Sequence, residues 1–358
     1  MGQTLTSKRE KNALVWFGQN WIFLFLLFLV ILFSFVGRGF FSPKTLNNIL
    51  ISSSPALLLA AGEAFVIITG GIDLSVGFVR GLISVLSAIV MRDLYALGYS
   101  PAFAISVGII VGLGVGLLPG LVNGILVAKF RVPPFIATLG MYGIANGFAL
   151  RLSQGFPISF VPPQAREIGN GFIAYWFPGK GISFFAPPEG ISGAEVRHIV
   201  GIIPYSILIA GVIIAVFSFI LTRTQFGQHT YAIGGSIDAA RRAGILVDRH
   251  LIKVYMISSF FAALAGVLSV LVFGNGAPTQ FASSLELFAV AAVVIGGASL
   301  MGGKGSLTKT AVGVFILSVL EIGFLMAGVF PFYRYIAVGA VLVFAVIIDQ
   351  VMPELVYE

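Results

Sequence analysis

GQHTYAIGGSIDAARRAGI, residues 227–245, is a polar, glycine-rich and charged stretch that lies between two long apolar runs, 201–221 and 251–273. Each flanking run is about as long as the roughly 20 residues that an α-helix needs to cross the hydrocarbon core of a membrane. The stretch between them therefore predicts a loop in water that connects two membrane-spanning helices.

The composition of the whole chain supports a membrane protein. Hydrophobic residues make up 58% of the 358 positions and charged residues only 10%, whereas a soluble domain carries about 25% charge. The absence of cysteine excludes thiolate metal sites, cysteine nucleophiles and disulfides. The three histidines lack metal-ligand spacing, and no basic stripe with interleaved aromatics is present. We therefore expect no metal, no cofactor and no nucleic-acid partner.

Apolar runs recur along the chain and predict an all-α, polytopic membrane protein with about ten transmembrane helices. The runs are 21–36, 46–69, 76–91, 102–127, 133–152, 201–221, 251–273, 283–300, 308–328 and 332–348. We expect one transmembrane domain over residues 20–350, with cytoplasmic tails at 1–19 and 351–358.

Positive charges predict the orientation of these helices. With the N-terminus inside, the inner segments carry twelve Lys and Arg residues and the short outer segments carry five. Such an excess marks the cytoplasmic side, so we expect the N-in/C-in orientation. Residues 222–250 then form a cytoplasmic loop, and residues 153–200 form an extracytoplasmic insertion. Prolines in this insertion exclude a long helix. Its interleaved aromatics suit either membrane-surface anchoring or docking of an external partner.

Glycine pairs predict breaks in two of the membrane helices. Residues 66–77, VIITGGIDLSVG, align without gaps on residues 292–303, AVVIGGASLMGG, which pairs Gly70-Gly71 with Gly296-Gly297. Transporters are often built from duplicated halves with discontinuous helices. In the fourth run, glycines recur at every fourth position, which predicts close helix packing. They are Gly108, Gly112, Gly116, Gly120 and Gly124.

Polar side chains inside membrane helices are costly and mark functional sites. Asp73 is expected either to cap the following helix or to lie at a helix break beside a transport pathway. Glu63 and Glu321 are further buried carboxylate candidates, with Arg80 as a possible ion-pair partner. The candidate pathway and helix-break residues are Gly70, Gly71, Asp73, Ser75, Asn123, Asn146, Gly296, Gly297 and Ser299.

Enzymatic motifs are missing from the sequence. It contains no H-E-x-x-H, no G-x-S-x-G and no phosphate-binding G-x-x-x-x-G-K-[ST]. We therefore expect a protein that is not an enzyme. If ATP drives transport, its hydrolysis must occur on another chain.

Residues 238–244, DAARRAG, resemble the E-A-A-x-x-x-G signature of ABC importer permeases, with Asp238 in place of the usual Glu. The match is closer to one branch, the ribose-type sugar permeases, and it covers roughly residues 45–350. The blocks that resemble this branch are 70–77 (GGIDLSVG), 132–140 (VPPFIATLG), 231–235 (YAIGG) and 294–306 (VIGGASLMGGKGS). Asp238, the polar N-terminus and the insertion depart from it.

The resemblance implies a pore formed by two permease subunits, either a homodimer or a pair of paralogues, in a bacterial or archaeal plasma membrane. Cytoplasmic ABC ATPase subunits would drive alternating access, and an extracytoplasmic sugar-binding protein would deliver a small neutral sugar of the ribose, xylose or galactose type. The residues expected to couple the permease to the ATPase are Gly227, Tyr231, Gly234, Gly235, Asp238, Ala239, Ala240, Arg241 and Gly244.

Other functions remain open at the level of the sequence. The same family could carry nucleosides or a sugar-like autoinducer. An ion-coupled secondary transporter would show several carboxylates facing one another within the membrane. A structural membrane module would keep its function after deletion of the loop.

Overall fold

The computed structural model describes residues 8–187, 199–278 and 285–330 and isolated positions from 332 to 347, with side chains described from residue 20 onward. The helices are α1 (Lys8–Val36), α2 (Pro43–Ile68), α3 (Val76–Ala96), α4 (Pro101–Ala128), α5 (Pro134–Ser153), α6 (Gln164–Asn170), α7 (Tyr205–Arg223), α8 (Gln225–Gly235), α9 (Ile237–Arg242), α10 (Val247–Phe273), α11 (Leu285–Ile295) and α12 (Leu307–Met326). The strands are β1 (Phe172–Phe177), β2 (Gly181–Phe184) and β3 (Val200–Pro204).

Six of these helices are long and apolar enough to cross a membrane, namely α2, α4, α5, α7, α10 and α12. The apolar part of α1 and the whole of α11 are shorter. α3 is 21 residues long and carries Arg80, Arg92 and Asp93. The predicted run 332–348 falls largely outside the described residues. The described part of the chain is thus a mostly helical, polytopic membrane protein.

Sequence signals fix where several helices begin. Ser42 and Ser100 precede α2 and α4, and their hydroxyls accept the backbone N–H groups of Thr45 and Phe103. A proline follows each serine at the first helical position, where its missing N–H costs no hydrogen bond. These starts lie within a few residues of the predicted runs.

α10 lies at the centre of the bundle and packs against α4, α2 and α3. The glycine ladder of α4 makes this possible. A Cβ at Gly120 would collide with the Tyr255 carbonyl, and one at Gly124 would lie 2.7 Å from the Ile252 Cα. Gly108, one end of the ladder, packs instead against Met91 of α3. The ladder therefore serves two neighbouring helices, as its four-residue repeat drifts around α4.

The insertion contains β1 and β2, and β3 follows at its end; together they form a three-stranded antiparallel sheet in the order β2-β1-β3. The expectation of an all-α protein is wrong here, because aromatic and β-branched residues in β1 (FIAYWF) favour strands and the prolines prevent long helices. The run predicted from residue 201 likewise begins as β3, and α7 starts only after Pro204. A hydrogen bond from Asn47 Nδ2 to the Gly201 carbonyl ties the sheet to α2.

Segments that the charge count places on one side of the membrane meet at one end of the bundle. The Gly303 N–H donates to the Ile68 carbonyl, and the Tyr231 hydroxyl donates to the Gly305 carbonyl. At the opposite end, Asn170 of α6 donates to the Val272 carbonyl near the end of α10.

Candidate functional site

α9 is a six-residue surface helix with defined ends. Ser236 caps its start, accepting the Ala239 N–H at 3.2 Å. Its end is a Schellman motif: the Gly244 N–H donates to the Arg241 carbonyl and the Ile245 N–H to the Ala240 carbonyl, each at 3.0 Å. Gly244 adopts a φ of +82°, a backbone conformation that favours glycine. The sequence of residues 238–244, DAARRAG, has the pattern such a helix needs, a helix-forming run followed by glycine.

A small apolar cluster holds α9 against the neighbouring helices. Ala240, Ile233 of α8 and Val247 of α10 are buried together, and Ile245 and Leu251 pack on them. The remaining predicted coupling residues of α9, Asp238, Ala239 and Arg241, are exposed to solvent. α9 thus presents one polar face outward and is fixed to α8 and α10 by its other face.

Contacts near its start and in its middle anchor α8 to the neighbouring segments. The Tyr231 hydroxyl donates to the Gly305 carbonyl at 2.8 Å, and burial raises the pKa of this phenol, so it remains a donor at neutral pH. The Thr230 hydroxyl and the His250 Nε2 are hydrogen-bonded at 2.9 Å, which joins α8 to α10. Gly227 packs tightly on the Leu221 carbonyl of α7.

Three glycine-rich segments meet at one point, which we call the glycine junction: Gly70, Gly234 and Gly302-Gly303, packed around the end of α2. A Cβ at Gly234 would collide with the Ile68 carbonyl. One at Gly302 would lie 2.8 Å from the Gly234 carbonyl and 2.9 Å from the Gly70 nitrogen. Gly234 and Gly302 therefore have room only for glycine, whereas Gly70 is favoured by its φ of +82°.

The two predicted helix breaks are both Schellman ends. α2 ends with Gly70 (φ +82°), whose N–H donates to the Ile67 carbonyl, and α11 ends with Gly297 (φ +78°), whose N–H donates to the Val294 carbonyl. The gapless alignment pairs Gly70 with Gly296, whereas the residue that ends α11 as Gly70 ends α2 is Gly297. The alignment is therefore shifted by one residue from the structural equivalence. Gly296 instead packs closely on Thr310 of α12.

Asp73 is the centre of a buried polar network between α2, α3, α4 and α10. Its Oδ1 accepts from the Ser75 N–H at 2.9 Å and from the Ser75 hydroxyl, and its Oδ2 accepts from the Ser258 hydroxyl at 3.0 Å. Asn123 Nδ2 donates to the Ser75 hydroxyl at 3.1 Å. The Asp73 N–H donates to Glu63 Oε1 at 3.0 Å.

This network lies deep within the bundle. Ser258 follows the first residue of α10 by eleven positions, which corresponds to a rise of about 16 Å. Residues 69–75 are not helical. Non-helical backbone at membrane depth is tolerated where it is buried in protein or lines a cavity, and Asp73 is only 1% exposed. Asp73 does not cap α3 directly; it closes the turn before the cap, Ser75.

The other candidates lie apart from the network. Asn146 on α5 is buried, and its Oδ1 has no partner among the described residues. Ser299 closes a tight turn, since its hydroxyl accepts the Met301 N–H and its own N–H donates to the Lys304 carbonyl. Arg80 donates to Ser269 at 3.1 Å, and neither ion pair found among the described residues involves it.

Two members of the network were not among the predicted site residues. Glu63 was considered only as a buried carboxylate, and its Oε2 has no partner among the described residues. Ser258 was missed altogether. The Ser258-Ser259 pair in an apolar run was the available signal, because serines in membrane helices commonly hydrogen-bond to neighbouring helices. Ser259 donates to the Gly116 carbonyl at 2.7 Å.

Comparisons with known proteins identify the family of this chain. The family model described as the branched-chain amino acid transport system permease component matches residues 45–346. The ribose import permease protein of Bacillus subtilis is 38% identical, covering 92% of this chain and 91% of its own length. That of Escherichia coli K12 is 33% identical, covering 97% and 98%.

The galactose/methyl galactoside import permease protein of Salmonella typhimurium is 32% identical, covering 97% of this chain and 98% of its own length. No solved structure matches the chain significantly. The family match covers most of the chain, and these relatives match it almost from end to end. The chain therefore belongs to the family of branched-chain amino acid transport system permease components.

Proposed function

We propose that this chain is the membrane-spanning subunit of an ABC importer and carries a small neutral sugar across the bacterial plasma membrane by alternating access. The relatives are named as import permeases for ribose and galactose. ATP is hydrolysed on separate ATPase subunits, which grip α9. A second copy of this chain or a paralogue completes the pore, and an extracytoplasmic sugar-binding protein delivers the cargo.

One observation carries the proposal: a continuous chain of contacts leads from α9 to the Asp73 network. The apolar cluster around Ala240 fixes α9 to α8. Gly234 and Tyr231 of α8 contact the end of α2 and the 302–305 loop. The backbone after Gly70 leads directly to Asp73. A push on α9 therefore displaces the turn that holds the buried polar groups, since packed interfaces transmit displacement.

The proposed N-in/C-in orientation assigns each part of the chain to one side of the membrane. Ten crossings with both termini in the cytoplasm place α8 and α9 inside the cell and the sheet outside. Residues 20–350 form the permease domain, residues 222–250 its coupling loop and residues 153–200 the surface beside the binding protein. The two turns at Gly70 and Gly297 then lie toward the cytoplasmic half.

A pair of adjacent glycines tests the mechanical link. In Gly234→Ala the new Cβ collides with the Ile68 carbonyl, whereas in Gly235→Ala it meets nothing within 4 Å. Both variants gain the same methyl group in the same helix. We expect Gly234→Ala, in proteoliposomes with the ATPase and binding protein, to keep ATPase activity while sugar uptake per ATP falls. Gly235→Ala should retain wild-type coupling.

Equal uptake per ATP in the two variants would contradict the proposed link. Loss of ATPase co-purification in Gly234→Ala alone would locate the defect in assembly and would also count against the link.

The cargo is tested in the same vesicles by competition of labelled ribose uptake with galactose, xylose and nucleosides. Uptake driven by an ion gradient with no ATPase present would instead favour a secondary transporter built around Glu63 and Asp73.

A further inference from the structure

A cavity of about 410 Å³ lies beside the coupling helix, between α8, the link that follows Gly244 and the first turns of α10. Its size suits a small molecule or a lipid headgroup. Ile245 and His250 are shared with the contacts that hold α8 and α9, whereas Arg249, Lys253 and His229 take part in none of the contacts described above.

The floor of the cavity is fixed by buried side chains. His250 is 6% exposed and is hydrogen-bonded to the Thr230 hydroxyl at 2.9 Å. The Phe226 ring stacks on it with a centroid distance of 4.4 Å. The cavity therefore has a rigid base, which lowers the entropic cost of holding a ligand.

The rim of the cavity carries several cationic or donor side chains. Arg249 and Lys253 lie four residues apart on α10, which places them on one face of the helix. His229 and Gln225 line the opposite wall on α8, and the rings of His229 and His250 are 6.0 Å apart. All of these groups can donate hydrogen bonds to an anion.

No carboxylate among the described residues lines this cavity. The nearby Asp248 is engaged with Arg241 at 3.2 Å, and the other ion pair found in the described part of the chain joins Arg92 to Asp93. Arg249 and Lys253 are thus uncompensated by side chains of that part. Clefts lined by one sign of charge concentrate counter-ions of the opposite sign.

We propose that this cavity binds a phosphoryl group, held by Arg249, Lys253 and His229 beside the coupling helix. The group is supplied either by an anionic phospholipid of the surrounding leaflet or by a soluble phosphate compound. Basic pockets between membrane helices are typical sites for lipid phosphates. Because Gly244 and Ile245 form part of the wall, occupancy would stiffen the base of α9.

The first experiment measures protection of Lys253 in the wild-type protein. The permease and its complex are placed in nanodiscs of phosphatidylcholine alone or with phosphatidylglycerol, and an amine-reactive reagent is counted at each lysine by mass spectrometry. Inorganic phosphate and glucose 6-phosphate are added in separate samples. We expect one of the two phosphate sources to protect Lys253, while Lys129, outside the cavity, labels equally throughout.

The second experiment uses Arg249→Gln/Lys253→Gln, with Arg223→Gln as a matched control that removes an exposed cation outside the cavity. We expect affinity for the protecting phosphate source to fall about thirtyfold in the double variant and to stay unchanged in Arg223→Gln. The single variant Lys253→Gln provides the same comparison if the double variant does not assemble.

Protection by phosphatidylglycerol alone assigns the site to lipid, and protection by the soluble compounds assigns it to a metabolite. Equal Lys253 labelling with and without every phosphate source overturns the proposal. So does protection that appears only when the ATPase subunit is added and that no phosphate source changes, because the cations would then contact an acidic surface of that partner.

Discussion

Asp73 joins three segments that are far apart in the sequence. Through Ser75, Ser258 and Asn123 its carboxylate links the turn after α2 to α10 and α4. Each of these donors is buried, and a buried donor that loses its acceptor costs about 1–3 kcal/mol. The network therefore holds the turn in one arrangement until a stronger displacement acts on it.

Asp73→Ala is expected to destabilise the permease and to reduce transport. The Ser75 N–H, the Ser75 hydroxyl and the Ser258 hydroxyl lose their acceptor at once. The melting temperature in detergent measures the first effect and uptake in proteoliposomes the second. Asp93→Ala is the control, since Asp93 is 55% exposed and only pairs with Arg92, an interaction worth at most about 1 kcal/mol. Equal melting temperatures for the two variants would refute this role of Asp73.

Gly244→Val is expected to weaken ATPase binding, because a β-branched residue at a φ of +82° is strained and opens the end of α9. Gly244→Asn should retain most binding, since asparagine tolerates this conformation. The measurement is co-purification of the ATPase subunit and its stimulated hydrolysis. If valine and asparagine behave alike, the conformation of Gly244 does not matter for coupling.

At this scale the sequence predicted part of the site. Asp73, Ser75 and Asn123 were recognised because polar residues in apolar runs are rare, and the structure joins them. Asn146 was chosen for the same reason, yet no described hydrogen bond connects it to them. Ser258 donates to Asp73 only because α10 packs beside the turn after α2, and no local pattern shows which neighbour a serine faces.

Helices and turns form the next scale, and here α8 matters most. It is short, yet it touches α7 at Gly227, α10 at Thr230 and the end of α2 at Gly234. Its position is therefore defined by two close backbone contacts that only glycine permits and by one side-chain hydrogen bond. A helix held in this way moves with its neighbours rather than bending away from them.

The glycine ladder of α4 gives a second test at this scale. A Cβ at Gly120 would collide with the Tyr255 carbonyl, whereas one at Gly114 on the same helix meets nothing within 4 Å. Gly120→Ala should lower stability by about 1–3 kcal/mol through overpacking. Gly114→Ala should be neutral or slightly stabilising, since alanine favours helix. Detergent melting temperatures compare them, and a loss in Gly114→Ala matching that in Gly120→Ala would refute the packing role of the ladder.

Helix positions were largely predictable because apolar runs and proline starts mark them directly. The sheet was not predicted, since its strand pairing joins Phe172 to Pro204 and Phe177 to Gly181, and short aromatic stretches suit several structures. The breaks at Gly70 and Gly297 were predicted from glycine pairs, but the one-residue difference in their roles depends on backbone geometry.

For the whole molecule, the contacts divide the connecting segments into two ends of one bundle. The charge distribution of the sequence predicted which segments share an end of the bundle. The sequence motifs predicted the family. The absolute direction, with both termini in the cytoplasm, stays a prediction from the positive charges. That direction decides which surface meets ATP and which meets the incoming sugar.

The natural absence of cysteine makes the direction directly measurable. In intact cells, a membrane-impermeant maleimide should label Tyr99→Cys, between α3 and α4, and should leave Arg242→Cys on α9 unlabelled until the membrane is opened. Both positions are exposed in the structure, so access to the reagent depends on the side of the membrane. The reverse labelling pattern would invert the proposed orientation.

The hydrogen bond from Gly303 to the Ile68 carbonyl also has a consequence for biosynthesis. The end of α2 leaves the ribosome early, whereas its partner is translated near the end of the message. Until then the Ile68 carbonyl at the end of α2 lacks the Gly303 donor. A chain that stalls before residue 303 therefore never forms this hydrogen bond, and the end of α2 stays open in every truncated copy.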